Sequence, residues 1–322
     1  MSDRSAFFKG RFFSLFFFAL ALFYLLISHI LPSGFLRFMI QIFLYAALGE
    51  GWNLLSGFAG MTSLGQQLFI GIGGYAAAMT STFFSAPYPL GLLIGALGSV
   101  LIAFLLSRLL FRLSGMYFAI CTWVAAEGAQ LLFLNWKAAN QGAGMTVKLS
   151  PYPTMREIHF MSFLLFLLSL MLVWGIMRSR LGLGLIAMRE DAQTAAACGV
   201  RIERSRLFVY LFSAFLTAFT GGLFFINKGV IFPDSGFGIS WTVSLVFICI
   251  IGGTGTISGP LSGAVVYVLL REYLAHFPGW SNLILGAVTI AAVLFLPGGL
   301  AGLLTRHFPG FFRRAPGSMK NE

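Results

Sequence analysis

The chain has 322 residues, of which 58% are hydrophobic and only 10% are charged, with a formal net charge of +11 and a mean hydropathy of +0.88. Soluble domains carry about 25% charged residues because their surfaces must stay hydrated, so this composition excludes a soluble globule and predicts an integral membrane protein. The three cysteines form no C-x-x-C pair, which indicates neither a zinc site nor a disulfide framework.

Apolar stretches of about 20 residues, the length that crosses a bilayer as an α-helix, recur along the whole chain. The ten candidate spans cover residues 12–31, 38–56, 65–84, 88–107, 115–134, 160–177, 207–226, 239–253, 260–275 and 282–304. The prediction is an all-α polytopic membrane protein, a single transmembrane domain over residues 1–322 built as a bundle of about ten helices. With an even number of spans, both termini lie on one side.

The basic residues are unevenly distributed between the two faces of this topology. The termini and alternate loops hold 15 of the 21 Lys and Arg residues. The other face holds Arg37, Lys137, Lys148, Arg156, Lys228 and Arg271. Because an excess of Lys and Arg marks the cytoplasmic side, we expect both termini to be cytoplasmic. The net positive charge therefore reports topology, and we expect a lipid bilayer rather than nucleic acid as its partner.

The second span carries a carboxylate, which is costly inside a membrane unless it faces a cavity or a partner. Glu50 lies near the cytoplasmic end, and Glu50, Asn53 and Gly57 follow one another at i, i+3 and i+7 on one helix face. Two interpretations stay open. Glu50 either contributes to a substrate pathway or is a snorkelling or hydrogen-bonded residue that fixes helix packing.

The third span carries small residues on one face, headed by an amide: Gln67, Gly71, Gly74 and Ala78. This stripe is typical of close helix packing, and its alternative is a pore-lining face. Chain breaks at 56–60 and 251–260 are either half-helix ends that face a cavity, as in transporters, or ordinary turns.

Glu127 lies just past the middle of the fifth span, with Gln130 one turn further on. We expect Glu127 to face the bundle interior, hydrogen-bonded or solvated, because a carboxylate near mid-bilayer is costly in lipid. The candidate substrate pathway then consists of Glu50, Asn53, Gln67, Gly71, Gly74 and Glu127.

Two connections are long. An external loop covers residues 135–159, and a cytoplasmic loop covers residues 178–206. Within the cytoplasmic loop we predict one short helix over residues 189–198, with Glu190 and Asp191 at its positive end and Gly199 at the C′ position. A helix of about ten residues is marginal alone in water, so a partner should hold it. The alternative is an amphipathic linker on the membrane surface, although its small apolar face suits lipid poorly.

Motifs for energy conversion and catalysis are missing from the sequence. No G-x-x-x-x-G-K-[ST] sequence surrounds any of the five lysines, so the chain has no P-loop of its own. The four histidines are scattered, with no carboxylate or cysteine at metal-ligand spacing. We therefore expect no catalytic residues, no metal and no cofactor, and a chain that is not itself an enzyme.

The sequence resembles a known family at several places in order. These are GEGWNLLSGFAGMTSLG at 49–65, GIGGY at 71–75, GMYFA at 115–119 with Glu127, the segment 251–263, and LPGGLAGL at 296–303. Together they resemble the LivM-type permeases, the membrane subunits of branched-chain amino acid ABC importers. RED at 189–191 with AAACG at 195–199 is similar to the family's cytoplasmic EAA loop. Gln193 and Thr194 depart from it, since an acidic residue often opens the EAA core there.

The resemblance implies a bacterial inner-membrane permease subunit with several partners. These are a second homologous permease, two cytoplasmic ATP-binding subunits and an extracytoplasmic solute-binding protein. It also implies that Arg189, Glu190, Asp191, Ala195, Ala196 and Gly199 contact the ATPase. The expected solute is a branched-chain amino acid, urea or a short amide, and neutral or zwitterionic because no Lys or Arg was assigned to the interior of a span. The alternative is an ion-coupled secondary carrier for a small polar solute.

Overall fold

The computed structural model describes residues 32–84, 87–149, 151–274, 283–284, 286–290 and 299–302. Its longer elements are helices, numbered here in chain order. They are α1 (Ser33–Trp52), α2 (Gln66–Phe84), α3 (Tyr88–Leu110), α4 (Met116–Asn135), α5 (Met155–Arg178), α6 (Arg180–Glu190), α7 (Ala192–Ala197), α8 (Ile202–Lys228), α9 (Pro233–Phe237), α10 (Ser240–Gly252) and α11 (Gly259–Leu274). One π-helical turn, Asn53–Phe58, continues α1, and a 3₁₀ turn, Lys137–Gly142, follows α4.

Each of the second to ninth predicted spans coincides with a helix. The first lies outside the described residues, as do both chain termini, and the tenth is described only in part. Six stretches are long and apolar enough to cross a membrane: Ser33–Phe58, Tyr88–Leu110, Met116–Asn135, Met155–Arg178, Ile202–Lys228 and Pro233–Gly252. These six confirm a polytopic helical membrane protein, while the count of ten spans stays a prediction.

Consecutive long helices alternate in direction, so the bundle has two distinct ends. At one end, which we call the loop end, α6 lies against the turns that follow α1 and α10. At the other, the ribbon end, strands β1 (Met145–Thr146) and β2 (Val230–Ile231) pair antiparallel, with Met145 opposite Ile231. The helical bundle therefore agrees with the all-α prediction, and one two-stranded ribbon ties the loop after α4 to the end of α8.

Glycines determine how closely α2, α3 and α8 pack. A Cβ atom on Gly73 would lie 1.9 Å from the Ala218 carbonyl oxygen, and one on Gly221 would lie 2.7 Å from the Ile70 Cα atom. Gly95 of α3 approaches the Gly73 backbone on the other side. Lipid offers no hydrophobic drive for helix association, so such backbone approach supplies the packing energy.

Candidate functional site

Two breaks in the helices meet at the loop end, as the paired interruptions at 56–60 and 251–260 suggested. Asn53, the first residue of the π-helical turn, is fully buried. Its Nδ2 donates to the Thr256 carbonyl at 2.9 Å, and its Oδ1 accepts from the Gly255 N–H at 2.8 Å. A single amide therefore joins the turn after α1 to the turn between α10 and α11. π-helical turns are frequent at functional sites, because they interrupt the regular hydrogen-bond ladder.

Glu50 is fully buried three residues before this turn. Among the residues that the structure describes, neither oxygen of its carboxyl group has a hydrogen-bond partner. The side chain therefore does not snorkel to the surface, and no hydrogen bond from the described residues holds it. A buried polar group without a partner costs about 1–3 kcal/mol, so it persists where a function or an alternative conformation requires it.

Two adjacent amides at the start of α2 extend the polar cluster into the bundle. Gln66 donates to the Ser213 hydroxyl at 3.0 Å and accepts from Thr217 at 3.0 Å, and Ser213 in turn donates to the Gly51 carbonyl at 2.7 Å. Gln67 accepts from the Thr242 hydroxyl, while its Nε2 has no partner within the described part of the chain. The candidate pathway predicted from the sequence includes Gln67 but not Gln66, although two amides at the head of an apolar helix were the available signal.

The glycine stripe on α2 faces aromatic rings. A Cβ atom on Gly71 would lie 2.3 Å from the Phe237 ring, and one on Gly74 would lie 2.4 Å from the Phe225 ring. The space beside both glycines is filled in this conformation, which favours close packing over an open pore-lining face. A part in the substrate pathway would require Phe225 and Phe237 to move.

Glu127 is partly buried on α4, and its carboxylate accepts a hydrogen bond from Trp123 Nε1 at 2.9 Å within the same helix. Gln130, one turn further on, makes the contact between helices: its Nε2 donates to Asp234 Oδ1 of α9 at 2.6 Å. Glu127 is thus hydrogen-bonded, as expected, but by its own helix. It lies on a helix with much exposed apolar surface, including Val124 and Leu131.

The loop at 178–206 folds into two helices where one was predicted. The helix expected over 189–198 is interrupted at Asp191, whose backbone is extended (φ −152°, ψ 114°). The Asp191 carboxylate accepts from the Gln193 N–H at 2.9 Å and from the Thr194 hydroxyl at 2.6 Å, so it begins α7 as its N-cap. The Thr194 hydroxyl first, and the Gln193 N–H second, hold the pKa of Asp191 below its ordinary range.

The end of α7 confirms the expected glycine cap. Gly199 has a φ of +88°, its N–H donates to the Ala196 carbonyl, and the Val200 N–H donates to the Ala195 carbonyl. This pair of bonds is a Schellman motif. Ala195 is buried against the bundle, whereas Ala196 is exposed, so α7 presents a surface of small side chains.

Arg189 connects this loop to the helix breaks, and Glu190 beside it is exposed. Arg189 Nη1 donates to the Gly57 carbonyl at 2.7 Å. The same atom would lie 2.8 Å from a Cβ on Gly255, and the Arg189 backbone packs against Gly60, which has a φ of +70°. Arg189 therefore touches both turns that Asn53 joins. The charge that the sequence assigned to ATPase docking points, in the structure, into the bundle.

A cation lies within α11, in the segment predicted as the ninth span. The Arg271 guanidinium donates to the Tyr45 hydroxyl of α1 and lies 5.6 Å from the centre of that ring. The Tyr45 ring in turn contacts Tyr267 and Trp241. Arg271 thus lies inside a helix, whereas the expected solute class was argued from spans without Lys or Arg in their interior. Within the described residues, no group of three or more His, Cys, Asp or Glu side chains could hold a metal ion.

Comparison with known proteins gives one family. Residues 34–293 match the family model described as "Branched-chain amino acid transport system / permease component". The chain is 27% identical over 287 residues to the high-affinity branched-chain amino acid transport system permease protein LivM of Salmonella typhimurium and of Escherichia coli K12, which covers 80% of this chain and 67% of each relative. It is 26% identical over 240 residues to the autoinducer 2 import system permease protein LsrC of Enterobacter sp. strain 638, covering 73% of this chain and 67% of that protein. No solved structure matches significantly.

Proposed function

Because this chain belongs to the family of permease components of branched-chain amino acid transport systems, we propose that it imports branched-chain amino acids or similar small neutral solutes. It would do so as a multi-pass inner-membrane subunit of an ATP-driven importer. The chain contains no P-loop, so ATP hydrolysis belongs to partner chains and reaches the bundle through protein contact.

The proposed assembly contains a second, homologous permease, two cytoplasmic ATP-binding subunits and an extracytoplasmic solute-binding protein. The loop end then faces the cytoplasm, where an ATPase subunit covers the exposed small residues of α7. Ala196 and Gly199 would lie in this contact, with Glu190 and Asp191 at its edge. Small side chains allow two surfaces to approach closely, so they suit a contact that transmits force.

The observation that carries the proposal is the hydrogen bond from Arg189 to the Gly57 carbonyl, together with the Asn53 bonds to the neighbouring turn. Movement of α6 and α7 would pull on the ends of α1 and α10 directly, without an intervening loop. Both helices cross the bundle beside Glu50 and the buried amides. Alternating access would follow as these helices shift and the polar cluster opens.

The choice of solute rests on the relatives. LivM, which is named for branched-chain amino acids, matches 80% of this chain, whereas LsrC, which is named for autoinducer 2, matches 73%. Arg271 adds a cation at the ribbon end, which is compatible with the carboxylate of a zwitterion. We therefore favour an amino acid over a solute without a charged group.

An ion-coupled secondary carrier is the second candidate, and one observation favours it. Glu50 is buried and has no hydrogen-bond partner in the described part of the chain, as a carboxyl group that takes up a proton during transport would be. This function would require neither an ATPase nor a binding protein.

One reconstitution separates the two candidates. The chain is incorporated into proteoliposomes with its partner permease, ATPase subunits and binding protein, and uptake of labelled leucine, urea and autoinducer 2 is measured. We expect leucine uptake that requires both ATP and the binding protein and is unaffected by dissipating the proton gradient. Uptake by this chain alone, driven by a proton gradient, would establish the carrier and refute the importer.

A further inference from the structure

A basic pocket lies between α3 and α8 at the loop end, apart from the polar cluster and the Arg189 contact. Its volume is about 350 Å³. Arg108 and Arg112 come from the end of α3 and the turn after it, and Arg204 from the first turn of α8. Glu203 is the single carboxylate in its wall, so three guanidinium groups face one negative charge.

The wall of this basic pocket is fixed by packing. Phe111 lines the pocket and its ring lies 5.8 Å from that of Tyr210, edge to face, which holds the end of α3 on α8. Ser107 is buried and donates to the Phe104 carbonyl, while the Arg108 guanidinium lies 5.9 Å from the Phe104 ring. Arg108 and Arg204 are therefore presented from two helix ends that pack on each other.

The surface next to the basic pocket is apolar and exposed. Leu101, Leu105 and Leu109 follow one another along α3 and are 60%, 61% and 63% exposed. Phe208 of α8 adds a further exposed ring. This stripe belongs to a helix apolar enough to span the membrane, and it leads from mid-helix directly to the arginines. A ligand that fits both surfaces has an anionic head and a hydrocarbon tail.

We propose that this pocket binds the phosphate of an anionic phospholipid, such as phosphatidylglycerol, whose acyl chains lie along the leucines of α3. Basic pockets between transmembrane helices at the bilayer surface take anionic headgroups, because each arginine there adds attraction in a poorly hydrated layer. Guanidinium groups also bind phosphate oxygens in a bidentate manner. Placement in the cytoplasmic leaflet rests on the proposed function, whereas lipid binding itself does not.

The lipid would act on the moving part of the molecule. The pocket is built by the first turn of α8, which follows α7 after four residues. A headgroup that bridges Arg204 and Arg108 would hold the start of α8 against the end of α3. It would thereby provide a fixed point against which α6 and α7 move.

The test measures lipid binding to the full chain purified in detergent, by native mass spectrometry, with phosphatidylglycerol, phosphatidylcholine and inorganic phosphate as separate probes. The pocket variant is Arg108→Gln with Arg204→Gln. The matched control is Arg201→Gln, an exposed arginine on the same connection that does not line the pocket. Neither ATP nor solute is present, so the result is independent of whether the importer assignment is correct.

We expect saturable binding of phosphatidylglycerol that phosphatidylcholine does not match. The double variant should raise the dissociation constant about 30-fold, since each arginine near a headgroup contributes about a fivefold factor, and Arg201→Gln should leave it unchanged. Displacement of the lipid by equimolar inorganic phosphate would show that free phosphate is the occupant and refute the lipid. Equal binding of both lipids, or wild-type binding by the double variant, would overturn the proposal. If the double variant bound lipid like the wild type but no longer co-purified with the ATPase subunits, the pocket would be a protein contact, and the proposal would also be overturned.

Discussion

Replacing Arg189 by methionine tests whether the loop at 178–206 drives the bundle through a direct contact. Methionine keeps the apolar part of the side chain and removes the donor to the Gly57 carbonyl. The control is Arg201→Met, an exposed arginine whose side chain makes no capping hydrogen bond at the start of α8. Both variants lose one positive charge from the same connection, so a difference between them reports the contact and not the net charge.

The expected magnitude follows from that one bond. Hydrogen bonds to a charged group contribute about 1.5–3 kcal/mol, and the lower end applies because much of the Arg189 side chain is exposed to solvent. A loss of about 1.5 kcal/mol shifts the equilibrium between the attached and detached loop about tenfold towards detachment. Solute imported per ATP hydrolysed should fall by up to this factor, with ATP hydrolysis itself retained.

The assay is the coupling ratio in proteoliposomes that contain the partner subunits. Arg189→Lys, which restores a cationic donor, should recover part of the ratio. A double-mutant cycle with Asn53→Ala should show a coupling energy of about 0.5–3 kcal/mol, because both residues act on the same pair of turns. Wild-type coupling by Arg189→Met, or an equal loss in Arg201→Met, would refute the direct contact.

Three further predictions concern the loop, the membrane carboxylate and the packing. Ala196→Trp and Gly199→Val should each uncouple ATP hydrolysis from uptake while membrane insertion persists. Gly199 has a φ of +88°, which costs a branched residue about 1–2 kcal/mol. Normal ATPase docking and normal uptake in both variants would contradict this prediction. Glu127→Leu should lower uptake more than assembly, as judged by co-purification of the partner subunits, and full uptake would count against a transport role. Gly73→Ala should lower the melting temperature in detergent, since overpacking costs about 1–3 kcal/mol. Gly128→Ala should leave the melting temperature unchanged, because no atom lies within 4 Å of the new methyl group.

The sequence predicted what depends on local composition and spacing. Apolar stretches of the right length located eight described helices. Gly199 predicted the end of α7, because a Schellman motif needs a residue with positive φ at that position. The division of the loop at Asp191 was less accessible. Asp191 can either lie in the first turn of one helix, where its negative charge interacts favourably with the helix dipole, or precede a helix as its N-cap. Which of the two occurs depends on how α6 packs.

Contacts between distant segments were beyond such patterns. Nothing local distinguishes Gln66 from Gln67, yet they bond to different helices. The stripe of Gly71 and Gly74 fitted the small-residue pattern, but the close backbone approach of α2 to α8 uses Gly73, which lies between them. One residue of difference rotates a side chain by 100° about the helix, so the partner helix decides which glycine is essential.

The contacts divide the bundle into two groups of helices. In the first, α1 packs on α10 at Gly49, and α10 on α11 at Gly263, where a Cβ atom would lie 1.9 Å from the Ile248 carbonyl oxygen. Asn53 and the bond between Arg271 and Tyr45 join α1 to the segment around α11 at two separate points. In the second group, α2, α3 and α8 meet through glycines at backbone distance.

The boundary between these groups combines aromatic packing with polar bonds. Across it run the bond from Ser213 to the Gly51 carbonyl and the bond from Thr242 to Gln67. Hydroxyl and amide bonds of this kind can be exchanged for bonds to water or solute at little net cost, whereas interlocked glycine contacts cannot shift without a clash. Arg189 acts on the first group alone. A pull from the loop should therefore move α1, α10 and α11 together against the second group and open the bundle along the surface where Gln67 lacks a partner for its amide nitrogen.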